Sequence, residues 1–288
     1  MISGQVNPTR DLKERVVRRF SKSPVALISI SVIGLYALAA LLVTLGLVAT
    51  DVDTRVGEKF MSPNFSAWLG TDRLGRDILS RVVYANKIAF IVGLVTATLS
   101  VLLGTILGAI SGFFGGWLDA LIVWLYSTVE SIPYLLLLIA ISYITGAGLS
   151  GVYLAFVLTF WVAPCRVIRG EVIKLKEAEY VIAARAMGYG PMRILFRHIV
   201  PNTVHLSLIN FTLIFVAAIK SEVILSYLGL GVQGEPSWGT MIDQARAELV
   251  NGFFWQIGGA TIAMFILVLA FNIAADTLQR ALDPRDVQ

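Results

Sequence analysis

Glu130, Lys220 and Glu222 are ionisable residues that lie well inside apolar runs of the chain. A charge in hydrocarbon is expensive, so such residues mark either a solute route or a paired structural site. Glu130 stands three residues before Pro133, which lacks a backbone donor and predicts a kink there. Two readings stay open: Glu130 faces the bundle interior and lines a route or pairs with Lys220, or the charges form a structural pair away from any route.

Two further patterns carry charge. In Gly70, Thr71, Asp72, Gly75, Arg76 and Asp77, Thr71 or Asp72 can cap a short helix and Gly75 relaxes a turn, while Asp77 and Arg81 form an i,i+4 pair. This reads as a structural brace. The stretch from Arg166 to Val200 is charged yet helix-patterned: Glu177 to Met187 are mostly good helix formers, Gly188 and Gly190 stop the run, and Pro191 and Pro201 open new pieces. A docking element and an ordinary amphipathic connector fit it equally.

Enzymatic patterns are absent from the sequence. It has no GxxxxGK[ST] phosphate loop, HExxH, GxSxG or cysteine cluster. Cys165 has no second cysteine to bridge, and His198 with His205 make no zinc site. No catalytic residue, cofactor or metal is expected on this chain.

The elements that must position these residues follow from composition. Of 288 residues, 57% are apolar and 15% charged, against about 25% charged in a soluble domain. Runs of roughly 20 apolar residues predict an all-α membrane protein with six spans: Val25 to Thr50, Ile88 to Gly112, Trp117 to Ile144, Gly151 to Val167, Thr203 to Tyr227 and Phe253 to Leu278. Domains follow as a cytoplasmic segment (1–24), a first span (25–50), an outer loop (51–87), a core (88–280) containing the charged loop (168–200), and a tail (281–288). In the first segment Leu12, Val16 and Phe20 suggest an amphipathic helix on the membrane, or a disordered basic tail. Ser100, Gly104, Gly108 and Gly112 form a ridge of small residues, a packing surface. Residues 239 to 251 suggest an outer helix with Met241, Ala245 and Leu249 on one side.

Of the 23 basic residues, 15 lie in the N-terminal flank, the loop between spans four and five, and the tail. The positive-inside rule puts those segments, and both termini, in the cytoplasm. The net charge of +4 therefore records topology and gives no sign of nucleic-acid binding.

Ala183, Ala184, Gly188 and Pro201, with Glu179 as the acid, resemble the EAA loop of ABC importer permeases, although Ile182 and Val200 depart from its pattern. Gly70 to Tyr84, Leu225 to Met241, and Phe271, Asn272, Asp276, Leu278, Leu282, Asp283 and Pro284 are similar to the dipeptide, oligopeptide and nickel permeases in the C-type position; Ala85, Ala275, Gln279 and Arg280 depart. The resemblance implies a type I ABC importer permease fold in a bacterial inner membrane and a pathway for small peptides. It also implies partners: a homologous second permease in a heterodimer, two ATPases holding ATP and Mg, and an extracytoplasmic substrate-binding protein. Glu179, Ala183, Ala184, Gly188 and Pro201 would then form the ATPase-coupling loop. Nickel chelates or other small solutes are the alternative cargo, and an ATP-independent channel or secondary carrier is the alternative class.

Overall fold

A computed structural model describes residues 19–21 and 23–282. Leu12 and Val16 of the proposed amphipathic segment, and Asp283 and Pro284 of the C-terminal pattern, lie outside the described residues. In chain order the helices are α1 (Pro24–Thr44), α2 (Ile78–Phe114), α3 (Gly116–Glu130), α4 (Tyr134–Thr145), α5 (Leu149–Phe160), α6 (Val162–Leu175), α7 (Glu179–Ala186), α8 (Pro191–Ile194), a π-helical turn (Leu195–Ile199), α9 (Val200–Tyr227), α10 (Trp238–Val250) and α11 (Trp255–Leu282). The described residues contain no strand, only isolated bridges.

Five helical stretches are long and apolar enough to cross a membrane: α1, α2, α5 with α6, α8 through α9, and α11. The remaining expected span, the third in chain order, is broken. Helices α3 and α4 meet at 90° across Ser131, Ile132 and Pro133. Proline cannot donate its missing N–H and its ring crowds the preceding turn, so the kink expected at Pro133 is a full change of direction.

The span boundaries also differ from the hydropathy reading. Helix α2 begins at Ile78, ten residues before Ile88, because Asp77 caps it by accepting from the Ser80 amide at 2.8 Å. Its polar first turns find partners inside the protein: the Asn86 amide donates to the Tyr36 carbonyl at 2.7 Å, and Lys87 approaches Glu235 at 3.8 Å. Helix α1 stops at Thr44, short of Thr50, where Gly46 turns the chain with φ +68°.

Helix α2 is the axis of the fold. On one side Gly93 lies under the Phe215 ring, which stacks on Phe271 with centroids 4.0 Å apart, joining α2 to α9 and α11. On the other, the small-residue ridge meets α6 backbone to backbone. A methyl group on Gly104 would lie 2.6 Å from the Trp161 carbonyl oxygen, one on Gly108 2.4 Å from that of Cys165, and one on Gly112 2.7 Å from that of Arg169. These contacts need glycine for space rather than for backbone freedom, and they let two apolar helices approach where lipid offers no hydrophobic drive to associate.

Gly108→Ala is therefore expected to lower the thermal midpoint of the detergent-purified chain, with an overpacking loss of about 1–3 kcal/mol. Gly34→Ala, where nothing lies within 4 Å of the new methyl, should keep or raise it.

Candidate functional site

The expected coupling residues gather at the end of the bundle where α6 stops. Helix α7 has Glu179 in its first turn and Arg185 in its last, each favourable to the helix dipole. It ends in a two-bond turn: the Gly188 amide donates to the Arg185 carbonyl at 3.0 Å and the Tyr189 amide to that of Ala184 at 3.2 Å. Gly188 has φ +80°, a left-handed conformation that side chains with a β-carbon resist. The Tyr189 ring stacks on His198 and lies under the Arg193 guanidinium, pinning the following turn.

Ala183 and Ala184, both expected in the coupling loop, point to different sides. Ala184 is 1% exposed and packs with Val181 against Ala109 of α2, Ile168 and Val172 of α6, and Ile194, Leu195 and Ile199. Ala183 points outward with Glu179, Ile182 and Met187, the last 66% exposed. The step of about 100° from Ala183 to Ala184 around the axis carries the second residue past the edge of the outer side and into the core. Helix α7 thus has an inner side welded to α2 and α6 and an outer side left open. Pro201, in the first turn of α9, lies on a helix that is continuous from α8. Its missing donor is accommodated by the π-turn before it, where the Val200 amide reaches the Leu195 carbonyl.

Glu130 does not meet Lys220. Its partner is Arg166 of α6, the two side chains being 52% and 51% exposed, and both line a cavity of about 830 Å3 between α3, α4, α6 and α9. Lys220 is exposed on α9. Glu222 is fully buried, accepts a hydrogen bond from the Ser226 hydroxyl at 2.5 Å, and does not line the cavity. The sequence reading missed Arg166 as a partner because it sits in a run of cations assigned to a solvated loop. It also missed Asp119 of α3, which holds Arg169 of α6 through two bonds of 2.6 and 2.7 Å and accepts from Ser111.

At the opposite end the expected brace exists with different bonds. Asp77 is the α2 cap and is not the partner of Arg81; the side chain of Arg81, 2% exposed, lies 2.9 Å from Asp53 and 3.9 Å from Asp72. Asp72 caps no helix: one oxygen accepts from the Leu74 and Arg76 amides at 2.8 and 2.9 Å, and the other from Arg76 Nε at 2.7 Å. Thr71 ties the outer loop by donating to the Glu58 carbonyl and accepting from the Met61 amide. Gly75, at φ +78°, has no room for a β-carbon beside the Gly57 carbonyl.

Helix α10 closes this brace. Met241 and Ala245 share one side as expected, and that side is buried, but Leu249 is exposed and Glu248 takes the buried position, accepting from the Arg73 amide at 3.1 Å. Gln244 offers its carbonyl to Arg81 at 3.3 Å. Burial pushes the Glu248 carboxyl above the usual glutamate range, partly opposed by the Arg73 amide.

A broken span beside a cavity, a helix with one open side and a braced opposite end define a polytopic membrane permease core. Residues 104–286 match the family described as binding-protein-dependent transport system inner membrane component. The chain is 32% identical to the dipeptide transport system permease protein DppC of Alkalihalophilus pseudofirmus, over 97% of this chain and 91% of that one. It is 34% identical to the oligopeptide transport system permease protein OppC of Bacillus subtilis, over 93% and 88%. With the glutathione transport system permease protein GsiD of Escherichia coli O6:K15:H31 the identity is 38%, over 77% and 74%. Its fold is similar to a chain of the MetNI methionine ABC transporter in an inward-facing conformation, with TM-score 0.56 and 17% identity over 70% of this chain and 97% of that one. The chain belongs to the binding-protein-dependent permease family and is an inner-membrane permease subunit of the ABC importer class.

Two outcomes test the brace. Asp72→Ala, which leaves the Leu74 and Arg76 amides and Arg76 Nε without the acceptor they share, is expected to destabilise the purified chain by about 3 kcal/mol or more, whereas Lys174→Ala, in an exposed pair, should change stability by under about 1 kcal/mol. Because folding raises the Glu248 pKa, the native state holds a proton that the unfolded chain has released, so this residue's contribution falls as pH rises from the ordinary glutamate range through the raised value. Glu248→Gln should flatten that part of the pH–stability profile.

Proposed function

We propose that the chain forms half of the translocation pathway of an ATP-driven importer of small peptides, working with a homologous second permease, two cytoplasmic ATPases that hold ATP and Mg, and an extracytoplasmic binding protein. The observation that carries the coupling role is the two-sided α7. Its inner side is fixed to α2 and α6, and its outer side presents Glu179, Ile182, Ala183 and Met187 for an ATPase groove. Both termini and the α7 end are then cytoplasmic, in accord with the basic residues there, and the brace of Asp72, Arg76 and Arg81 faces outward. The peptide cargo rests on the names of the relatives DppC and OppC.

In mechanism, closure of the ATPases shifts α7. Because Val181 and Ala184 sit in a common core with α2 and α6, the shift moves those spans as a body, an alternation of inward and outward openings. Gly188 and the stacked Tyr189 set the angle of the lever.

Ala183→Arg is expected to abolish copurification of the ATPases and ATP-driven dipeptide uptake in proteoliposomes while leaving the thermal midpoint unchanged. Ala184→Arg should instead unfold the loop, since its side chain has no space. Normal docking by Ala183→Arg would reject the coupling assignment, and peptide flux through the purified chain alone would favour an ATP-independent carrier.

A further inference from the structure

We infer that the cavity bounded by α3, α4, α6 and α9 is a binding subsite for the two charged ends of a short peptide. Glu130 would receive the ammonium group and Arg166 the carboxylate. The inference rests on the small-peptide cargo proposed above and assigns that cargo a site on this chain.

The first observation is where the pair lies. Arg81 with Asp72 is almost fully buried, and Arg169 with Asp119 is three-quarters buried and doubly bonded. Such pairs are structural, because separating them strands a charge away from water. Glu130 with Arg166 is half exposed and opens on the cavity. Exposed pairs contribute about 0–1 kcal/mol, so each partner exchanges the other for a ligand charge at little cost. An unoccupied zwitterion site rests in this way, its two charges neutralising one another until the ligand takes both.

The second observation is the surrounding wall. Val129, Pro133, Phe160 and Leu213 supply an apolar surface without directional demands. A site of this kind fixes the backbone termini, common to all unblocked peptides, and tolerates varied side chains. The cavity of about 830 Å3 falls in the range of about 300–1,000 Å3 usual for small ligands. A two-residue peptide spans about 7 Å, a separation the long side chain of Arg166 can open by changing rotamer.

The third is the position of the two charges on moving parts. Glu130 is the last residue of α3, directly before the 90° break, and Arg166 lies on α6, one turn before Arg169. Peptide bound between them would link the broken span to the helix that leads into α7.

The test uses the permease pair with its ATPases, purified without the binding protein, which has its own requirements for peptide ends. Radiolabelled alanyl-alanine, N-acetyl-alanyl-alanine and alanyl-alaninamide are titrated by equilibrium dialysis. Alanyl-alanine should bind, and each blocked peptide should bind about tenfold more weakly, the worth of one charge-assisted bond. Glu130→Gln should erase the penalty for acetylation and Arg166→Gln that for amidation. Equal binding of free and blocked peptides by the unaltered complex, no binding at all, or unchanged discrimination in both variants would overturn the inference; the wild-type comparison stands even if a variant fails to assemble. ATP-driven uptake by the complete system is measured alongside. Uptake without discrimination in the dialysis overturns the subsite alone, whereas no uptake of any peptide overturns the cargo assignment beneath it.

Discussion

The contact on which the rest of the structure depends is the approach of α2 to α6 through Gly104, Gly108 and Gly112. At each position a backbone carbonyl oxygen lies within 2.7 Å of where a β-carbon would sit, so rotating a side chain cannot relieve the clash. In a membrane, where apolar helices gain nothing by leaving lipid for each other, close packing of small residues is one of the few forces that hold a bundle in one arrangement. Fixing α6 against α2 fixes Arg166 and Arg169, which hold the two ends of α3, and fixes the core on which α7 sits. The ridge is thus a positional reference for the cavity and for the docking side.

Burial sorts the charges by role. At the braced end, buried Asp72 accepts from two amides and from Arg76 and lies 3.9 Å from the Arg81 guanidinium. Hydrogen-bonded networks of this kind rigidify the place they occupy. Glu222 is sequestered beneath the turn that leaves α9, where a β-carbon on Gly231 would strike Ser226. Glu130 and Arg166 keep access to the cavity. The same residue types therefore hold the fold in two places and remain available to a ligand in a third.

Much of this was legible in the sequence, for physical reasons that differ by element. Long apolar runs gave α1, α9 and α11, and the four-residue spacing of small residues identified the α2 face. Glycine at 188 marked the end of α7, and Pro133 marked the break. The partners were not legible. Arg166 lies 36 residues from Glu130, and Asp53 lies 28 from Arg81; such pairs arise from the fold, and local periodicity carries no trace of them. The start of α2 was misjudged because hydropathy treats Arg81, Asn86 and Lys87 as solvent-seeking, when tertiary contacts engage all three inside the protein. The splitting of Ala183 from Ala184 follows from helix geometry once the direction of the core is known, which the short segment alone does not reveal.

Under the proposed function α2, α6 and α7 move as one mechanical body. That claim is open to a direct distance measurement, since the lone native thiol, Cys165, is fully buried, and Tyr180 on α7 and Leu102 on α2 are both exposed and outside the set proposed to meet the ATPases. Spin labels at Tyr180→Cys and Leu102→Cys in the assembled transporter, read by pulsed electron–electron resonance without nucleotide and with trapped ATP, should give the same distance distribution in both states. A displacement approaching one helical turn, about 5 Å, would contradict it and make α7 a hinge that moves independently of the spans.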